Sequence, residues 1–293
     1  MAEAKYKAAL NVSVGYEAFR INTTGGNNTV LGYEALYNNT TASNNTAVGY
    51  QAGNSNTTGT SNAFVGYQAG YANTTANNNS AFGYLSLRFN TTGSENIAVG
   101  ALSLYSNTTG TSNTSMGYEA LILNTTGGSN VAIGLQALYS NTTANGNVGV
   151  GYQAAFANTT GTQNTAVGTQ ALYSNTTASS NSAFGQIALY SNTTGAENTA
   201  IGYQSMQLNT TGTSNVALGM RAMRANTTGG SNTALGHLAY DGGTTGSNNT
   251  AVGKSAMEAA NTGSNNAAVG FQAMAANTSG AANTALGYQA LAA

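Results

Sequence analysis

The chain reads as an all-β protein, a parallel β-solenoid (β-roll) of 17-residue coils, on three observations. Asn recurs in steps of 17 residues from Asn11 to Asn283, in seventeen copies with no insertion. Gly stands four residues later in every copy, from Gly15 to Gly287, and a sizeable apolar residue precedes each Gly. A period held that strictly places each copy in one coil of a regular stack, in contact with the coils on either side. Stacked strands lie ~4.8 Å apart, so the seventeen copies imply a rod on the order of 80 Å long.

Along the chain, residues 1–10 fall outside the repeat and carry Glu3, Lys5 and Lys7; they read as a cap or a junction. Sixteen full repeats fill 11–282, and 283–293 is an incomplete seventeenth. It ends on Leu291-Ala292-Ala293 with no polar cap. Such an end presents unpaired backbone groups and apolar side chains, so a further module or a neighbouring chain is expected against it.

Counting the repeat Asn as position 0, position 3 is always apolar and large: Val14, Leu31, Val48, Val65, Phe82, and so on to Leu286. That column is expected in the core. Positions 1–4 then form a short strand with odd positions inward and the mostly Ala position 2 outward. Position 7 is Ala or Ser and position 8 mostly Leu or Met, with Gly53 and Gly70 as exceptions. The run Gly-Tyr-Gln-Ala-Leu-Tyr-Ser-Asn is expected as a second strand or a tight coil with Leu inward, although one helical turn fits so few residues too. The tail Asn-Thr-Thr-Gly turns the chain back. The columns represented by Asn45 and Asn62 and by Gly49 and Gly66 are expected to form structural ladders: side-chain amides bonded coil to coil, and a corner too tight for a Cβ. A 17-residue coil encloses little apolar volume, and Ala at positions 2 and 7 offers a small-residue face for close lateral packing. A homotrimeric rod is the expected assembly.

Composition narrows the function. Charged residues make up 5% of the chain, against roughly 25% in ordinary soluble domains. With a net charge of −1 there is no basic stripe for nucleic acid. No stretch approaches the ~18 apolar residues of a membrane span, and no signal-peptide pattern opens the chain. The chain has no Cys and therefore no disulfide or thiolate site.

Catalysis needs convergent titratable groups, and the chain holds one His and one Asp. His237 takes the place of Tyr at position 5 and reads as a surface substitution. Glu17, Glu34 and Glu119 share position 6 with Gln, where Glu17 and Glu34 would stack as like charges on adjacent coils. Arg224, Asp241 and Glu258, at position 9 of successive coils, read as an exposed ion-pair column of under about 1 kcal/mol per pair. Gly149-Val150-Gly151 is a fragment of the repeat and no phosphate loop. Neither an enzyme, a metal site nor a cofactor is expected.

Two columns carry candidate surface chemistry. Asn at position 11 opens an Asn-x-Thr/Ser acceptor sequence for N-linked glycan at Asn22, Asn39, Asn56, Asn73, Asn90, Asn107, Asn124, Asn141, Asn158, Asn175, Asn192, Asn209, Asn226 and Asn277. The same residues suit a plain turn, since Asn and Thr bond their own backbone, and regular Thr ranks also suit ice binding. Tyr at position 5 (Tyr16, Tyr33, Tyr50, Tyr67, Tyr84) and at position 9 (Tyr37, Tyr71, Tyr105, Tyr139, Tyr173, Tyr190) forms aromatic stripes. These either stack on sugar rings of a cell-surface glycan or pack along their own ladder.

The phrase Asn-Thr-Ala-Val-Gly-Tyr-Gln-Ala at 45–52, and at 164–171 with Thr169 for Tyr, resembles the repeats in the head domains of trimeric autotransporter adhesins. Gly134-Leu135-Gln136-Ala137-Leu138-Tyr139-Ser140-Asn141-Thr142-Thr143 resembles the repeats of phage tail-fibre proteins. Together these motifs span 11–293. The resemblance implies a left-handed parallel β-roll in a homotrimer, forming a shaft or a head that binds host surfaces. The period is longer here than in the adhesins, and no coiled-coil stalk or chaperone pattern lies within the sequence. The expected role is thus a fibre shaft or adhesive rod on a virion or cell surface, extracellular, with itself as first partner. A glycosylated filament built by end-to-end stacking comes second and an ice-binding solenoid third.

Overall fold

A computed structural model describes residues 10–259 and 261–291. Nearly all of the expected cap at 1–10 and the last two residues of the incomplete repeat lie outside the described residues. The chain divides into two compact units, one up to Gly146 and one from Asn147. Both are parallel β-solenoids with coils of 17 residues. The first unit contains eight three-residue strands, from β1 (Val12–Val14) to β8 (Val131–Ile133). The second contains nine, from β9 (Val148–Val150) to β17 (Thr284–Leu286). Within each unit consecutive strands pair in parallel, and every residue faces the one a repeat later: Val12 with Thr29, Thr165 with Ser182, Ala267 with Thr284.

The core reverses the expected strand parity. Position 2 points inward, with Val30, Ala47, Ala98, Ala166 and Ala217 fully buried, while position 3 points out. Leu31, Met116 and Leu218, expected in the core, are 49%, 42% and 48% exposed. A coil this short encloses room for one large column, and position 8 takes it: Leu36, Leu87, Leu138, Leu189 and Met223 are fully buried. Small side chains at positions 2 and 7 fill the space that remains. The Ala columns therefore line the interior, and the small-residue outer face from which trimerisation was expected does not exist.

No second strand forms in the described coils. Positions 6 and 8 instead take left-handed backbone, as at Gln170 (φ 53) and Leu172 (φ 55), and position 16 does too, as at Gln163 (φ 58). Each such residue costs roughly 1–2 kcal/mol relative to right-handed backbone. The offset comes from bonds between coils. The amide of Gln170 donates to the carbonyl of Tyr152 at 2.8 Å, that of Leu172 to Ala188 at 2.9 Å and that of Ser180 to Thr162 at 3.0 Å. The turns are thus hydrogen-bonded to their neighbours as the strands are, and backbone polar groups stay satisfied around the coil.

Candidate functional site

The largest unpartnered feature is the outer surface of the sheet. Position 1 supplies a column of Thr, Ser, Val, Ile and Ala, and position 3 a column of Val, Leu, Ile, Phe and Met. Position 5, beyond the corner glycine, adds Tyr. Side chains alternate across a strand, so positions 1 and 3 share the outer face. In the first unit, Phe82, Ile97 and Met116 are at least 40% exposed; in the second, Phe184, Val216 and Leu218 are. Single exposed apolar residues are ordinary, but an uninterrupted column of them marks an interaction surface.

The invariant glycine fixes the edge of this face. Gly168 has φ +132, backbone that L side chains rarely adopt, and a Cβ there would lie 2.6 Å from the carbonyl oxygen of Gly185 on the next coil. Sequence and structure agree on this corner and on the Gly49 and Gly66 ladder. The position 0 ladder is present as well: the backbone amide of Asn62 donates to Oδ1 of Asn45 at 2.9 Å, and Nδ2 of Asn62 donates to the carbonyl of Ala76 at 2.9 Å.

The acceptor-sequence asparagines at position 11 form a second, buried ladder. Nδ2 of Asn175 donates to Oδ1 of Asn158 at 2.8 Å and to the carbonyl of Ala178 at 2.9 Å. In the other unit, Nδ2 of Asn107 donates to Asn90 at 2.8 Å and to the carbonyl of Gly110 at 2.9 Å. All twelve from Asn39 to Asn226 have no exposed surface; Asn22 and Asn277 are half-buried. A glycan on a buried nitrogen whose hydrogens are held in this way is incompatible with the fold. The glycan-attachment reading is corrected at those twelve positions: the residues are internal turn braces. The ladder ends at Asn226, whose Oδ1 has no partner because Gly243 replaces the next Asn.

Tyrosine faces are largely taken. Tyr16, Tyr33, Tyr50, Tyr67 and Tyr84 stack coil on coil with centroids 5.1–5.4 Å apart. At position 9, Phe156, Tyr173 and Tyr190 stack at 5.2 and 5.1 Å. Arg20 lies over Tyr37, and Arg88 over Tyr71 and Tyr105. Tyr139, like the other position 9 tyrosines, is half-buried. What these columns offer to solvent is mainly ring edges and hydroxyls, which supports the self-packing alternative. Hydrogen bonding to the neighbouring Glu34 and Glu119 raises the Tyr33 and Tyr118 phenols above their ordinary value.

Several of the charged residues are engaged by neighbours. Glu17 pairs with Arg20, and Glu34 accepts from Nε2 of Gln51 at 2.7 Å. Asp241 is buried, not exposed as expected, and holds Arg224 Nε and Arg221 Nη2 at 2.9 Å each. Glu258 is exposed and outside this network. His237 sits half-buried in the position 5 column. Among the described residues no group of three or more acidic, His or Cys side chains could hold a metal ion, and no helix is long and apolar enough to cross a membrane.

The signal that sequence reading missed is Phe64, the one aromatic at position 2. It is fully buried, and a Cβ on Gly53 would meet its Cδ2 at 2.6 Å, while one on Gly70 would lie 2.3 Å from its Cδ1 and Cε1. Phe at position 2 beside Gly at position 8 shows that these columns share one volume. No family model, curated protein or solved structure matches the chain.

Proposed function

We propose that this chain is a structural element of a surface fibre, the shaft or adhesive part of a phage tail fibre or bacterial appendage, and that it acts outside the cell in association with copies of itself. The observation that carries this reading is the outward aliphatic column on an in-register, almost uncharged sheet. Ladders along each unit give stiffness, and a face repeated coil after coil offers many equivalent weak contacts whose strength comes from number. The reading is structural and not enzymatic, because the titratable groups are either isolated or spent on one another.

The repeat resemblance to adhesin heads and tail fibres points the same way, and host glycan remains a candidate partner through the Tyr hydroxyl edges. Of the two Thr ranks, the position 12 hydroxyls donate to backbone, as Thr176 Oγ1 does to the carbonyl of Thr193 at 3.2 Å, so an ice-binding reading would have to rest on the exposed position 13 rank. Immunogold electron microscopy of the native source tests the proposal. Label along slender fibres on virions or cell envelopes is the expected result, and label confined to the cell interior would overturn it.

A further inference from the structure

We propose that the outer face of the second unit's sheet docks on the same face of a second copy of this chain, the two sheets packed face to face about a two-fold axis parallel to that unit's stack of coils. The inference rests on the reading of the chain as a self-associating fibre part, and it names the face and the symmetry.

Spacing argues for the occupant. Each coil presents the same positions one strand spacing from the last, because pairing is in register at 17 residues throughout each unit. A partner that fills this face along its length must repeat with the same spacing, and a second copy does so by construction. Dry, interdigitated faces between in-register sheets are a stable packing for this reason.

Shape argues for the symmetry. In most coils the side chain at position 3 is larger than the one at position 1, as Leu235 is beside Thr233 and Phe184 beside Ser182, so position 3 forms a ridge with a furrow beside it. A two-fold axis parallel to the stack, at the level of position 2, sets the ridge of one copy over the furrow of the other at the same coil. Each described coil carries a single strand, so each unit has one such face.

Area and charge agree. Strands ~4.8 Å apart and three residues of ~3.3 Å rise give a stripe of roughly 400 Å² on each unit. A stripe of a few hundred Å² of exposed apolar surface is the size that marks an interaction site. At positions 1, 3 and 5 of the described residues Lys254 is the only side chain carrying a full charge. The face lacks the cationic rim that an anionic membrane surface would call for.

Sedimentation of the full chain against concentration tests this, with two variant sets. Val167→Lys, Ile201→Lys and Leu235→Lys together put charge on the proposed face; Thr177→Lys, Thr211→Lys and Thr245→Lys put it on an exposed column elsewhere. The expected result is a dimer for the wild type and the Thr set, and association at least 100-fold weaker for the outer-face set with far-UV circular dichroism unchanged. Should the Lys set fail to fold, Val167→Thr, Ile201→Thr and Leu235→Thr replace it, with at least ten-fold weakening expected. A short bismaleimide should join Thr165→Cys chains to Val167→Cys chains more readily than either to itself. A monomeric or trimeric wild type, equal association of the outer-face set, or no preference in cross-linking would overturn the proposal. Fibre-borne label in the microscope with a monomeric mass would sink this inference alone, whereas label inside the cell would sink the reading beneath it.

Discussion

A glycine that recurs without exception has a physical cause at each copy. At Gly168 two costs coincide: backbone at φ +132, and the carbonyl of Gly185 where a Cβ would stand. Gly168→Ala is expected to cost about 3 kcal/mol, from strain and overpacking together; urea unfolding measures it, and a loss below about 1 kcal/mol would contradict the close approach. Tyr240 is another residue whose surroundings decide its chemistry. It takes the place of Leu at position 8, is fully buried, and its ring extends over Gly243, the copy that lost its Asn. Its hydroxyl accepts from Asn249 Nδ2 at 2.9 Å. Burial pushes its pKa up from 10 to about 12, with the Asn249 bond opposing. The folded state therefore holds the phenol proton more tightly than the unfolded chain. This contribution is complete below the unfolded value of 10 and is lost as pH rises toward about 12. The stability difference between wild type and Tyr240→Phe should shrink by roughly 2 kcal/mol across that window and stay level below it. A difference independent of alkaline pH would show the phenol to be solvated.

At the scale of one coil, positions 2 and 8 compete for a single small interior. Phe64→Ala is expected to cost about 3–5 kcal/mol, since neither Gly53 nor Gly70 can fill the void. Gly70→Leu alone overpacks against Phe64, but combined with Phe64→Ala it restores the Ala–Leu pairing found in coils such as Ala81 with Leu87 and Ala166 with Leu172. A double-mutant cycle should recover at least half of the single loss, and simple additivity would refute the shared volume. The same columns show what the sequence made legible. The Asn and Gly ladders were readable because an identical residue at a fixed step demands an identical environment. Strand parity was not, since a three-residue strand with an apolar residue at both position 2 and position 3 fits either orientation. The decisive clue was variability: position 3 ranges from Val65 to Phe82 and Met116, a freedom that belongs to the surface, whereas a lone Phe64 at position 2 needs glycines beside it. The left-handed turns were hidden for another reason. Leu172 and Gln170 have no local preference for that backbone, and bonds to neighbouring coils impose it. The outer face stayed hidden with the parity, for a column assigned to the core cannot be counted as surface.

At the scale of the whole chain, the scarcity of charge becomes a property that can be measured. Fifteen charged residues in 293, with a net charge of −1, leave long-range electrostatics little to act on. Several of those present neutralise one another within a coil or two, as Glu17 does with Arg20 and Asp241 with Arg221 and Arg224. Assembly through the aliphatic face should then follow the rules of apolar burial. Sodium chloride screens charges beyond roughly 10 Å at 0.1 M and beyond about 3 Å at 1 M, so it would weaken an assembly held by ion pairs across that range. Here the dissociation constant is expected to change by less than about two-fold over the same range. Sulfate, which is excluded from protein surfaces and favours burial, should tighten it. Cooling should loosen it, because apolar association weakens at low temperature. Sedimentation equilibrium in chloride and in sulfate, at two temperatures, distinguishes the two physics. Dissociation by chloride alone would place the contact on the few charged side chains and away from the sheet.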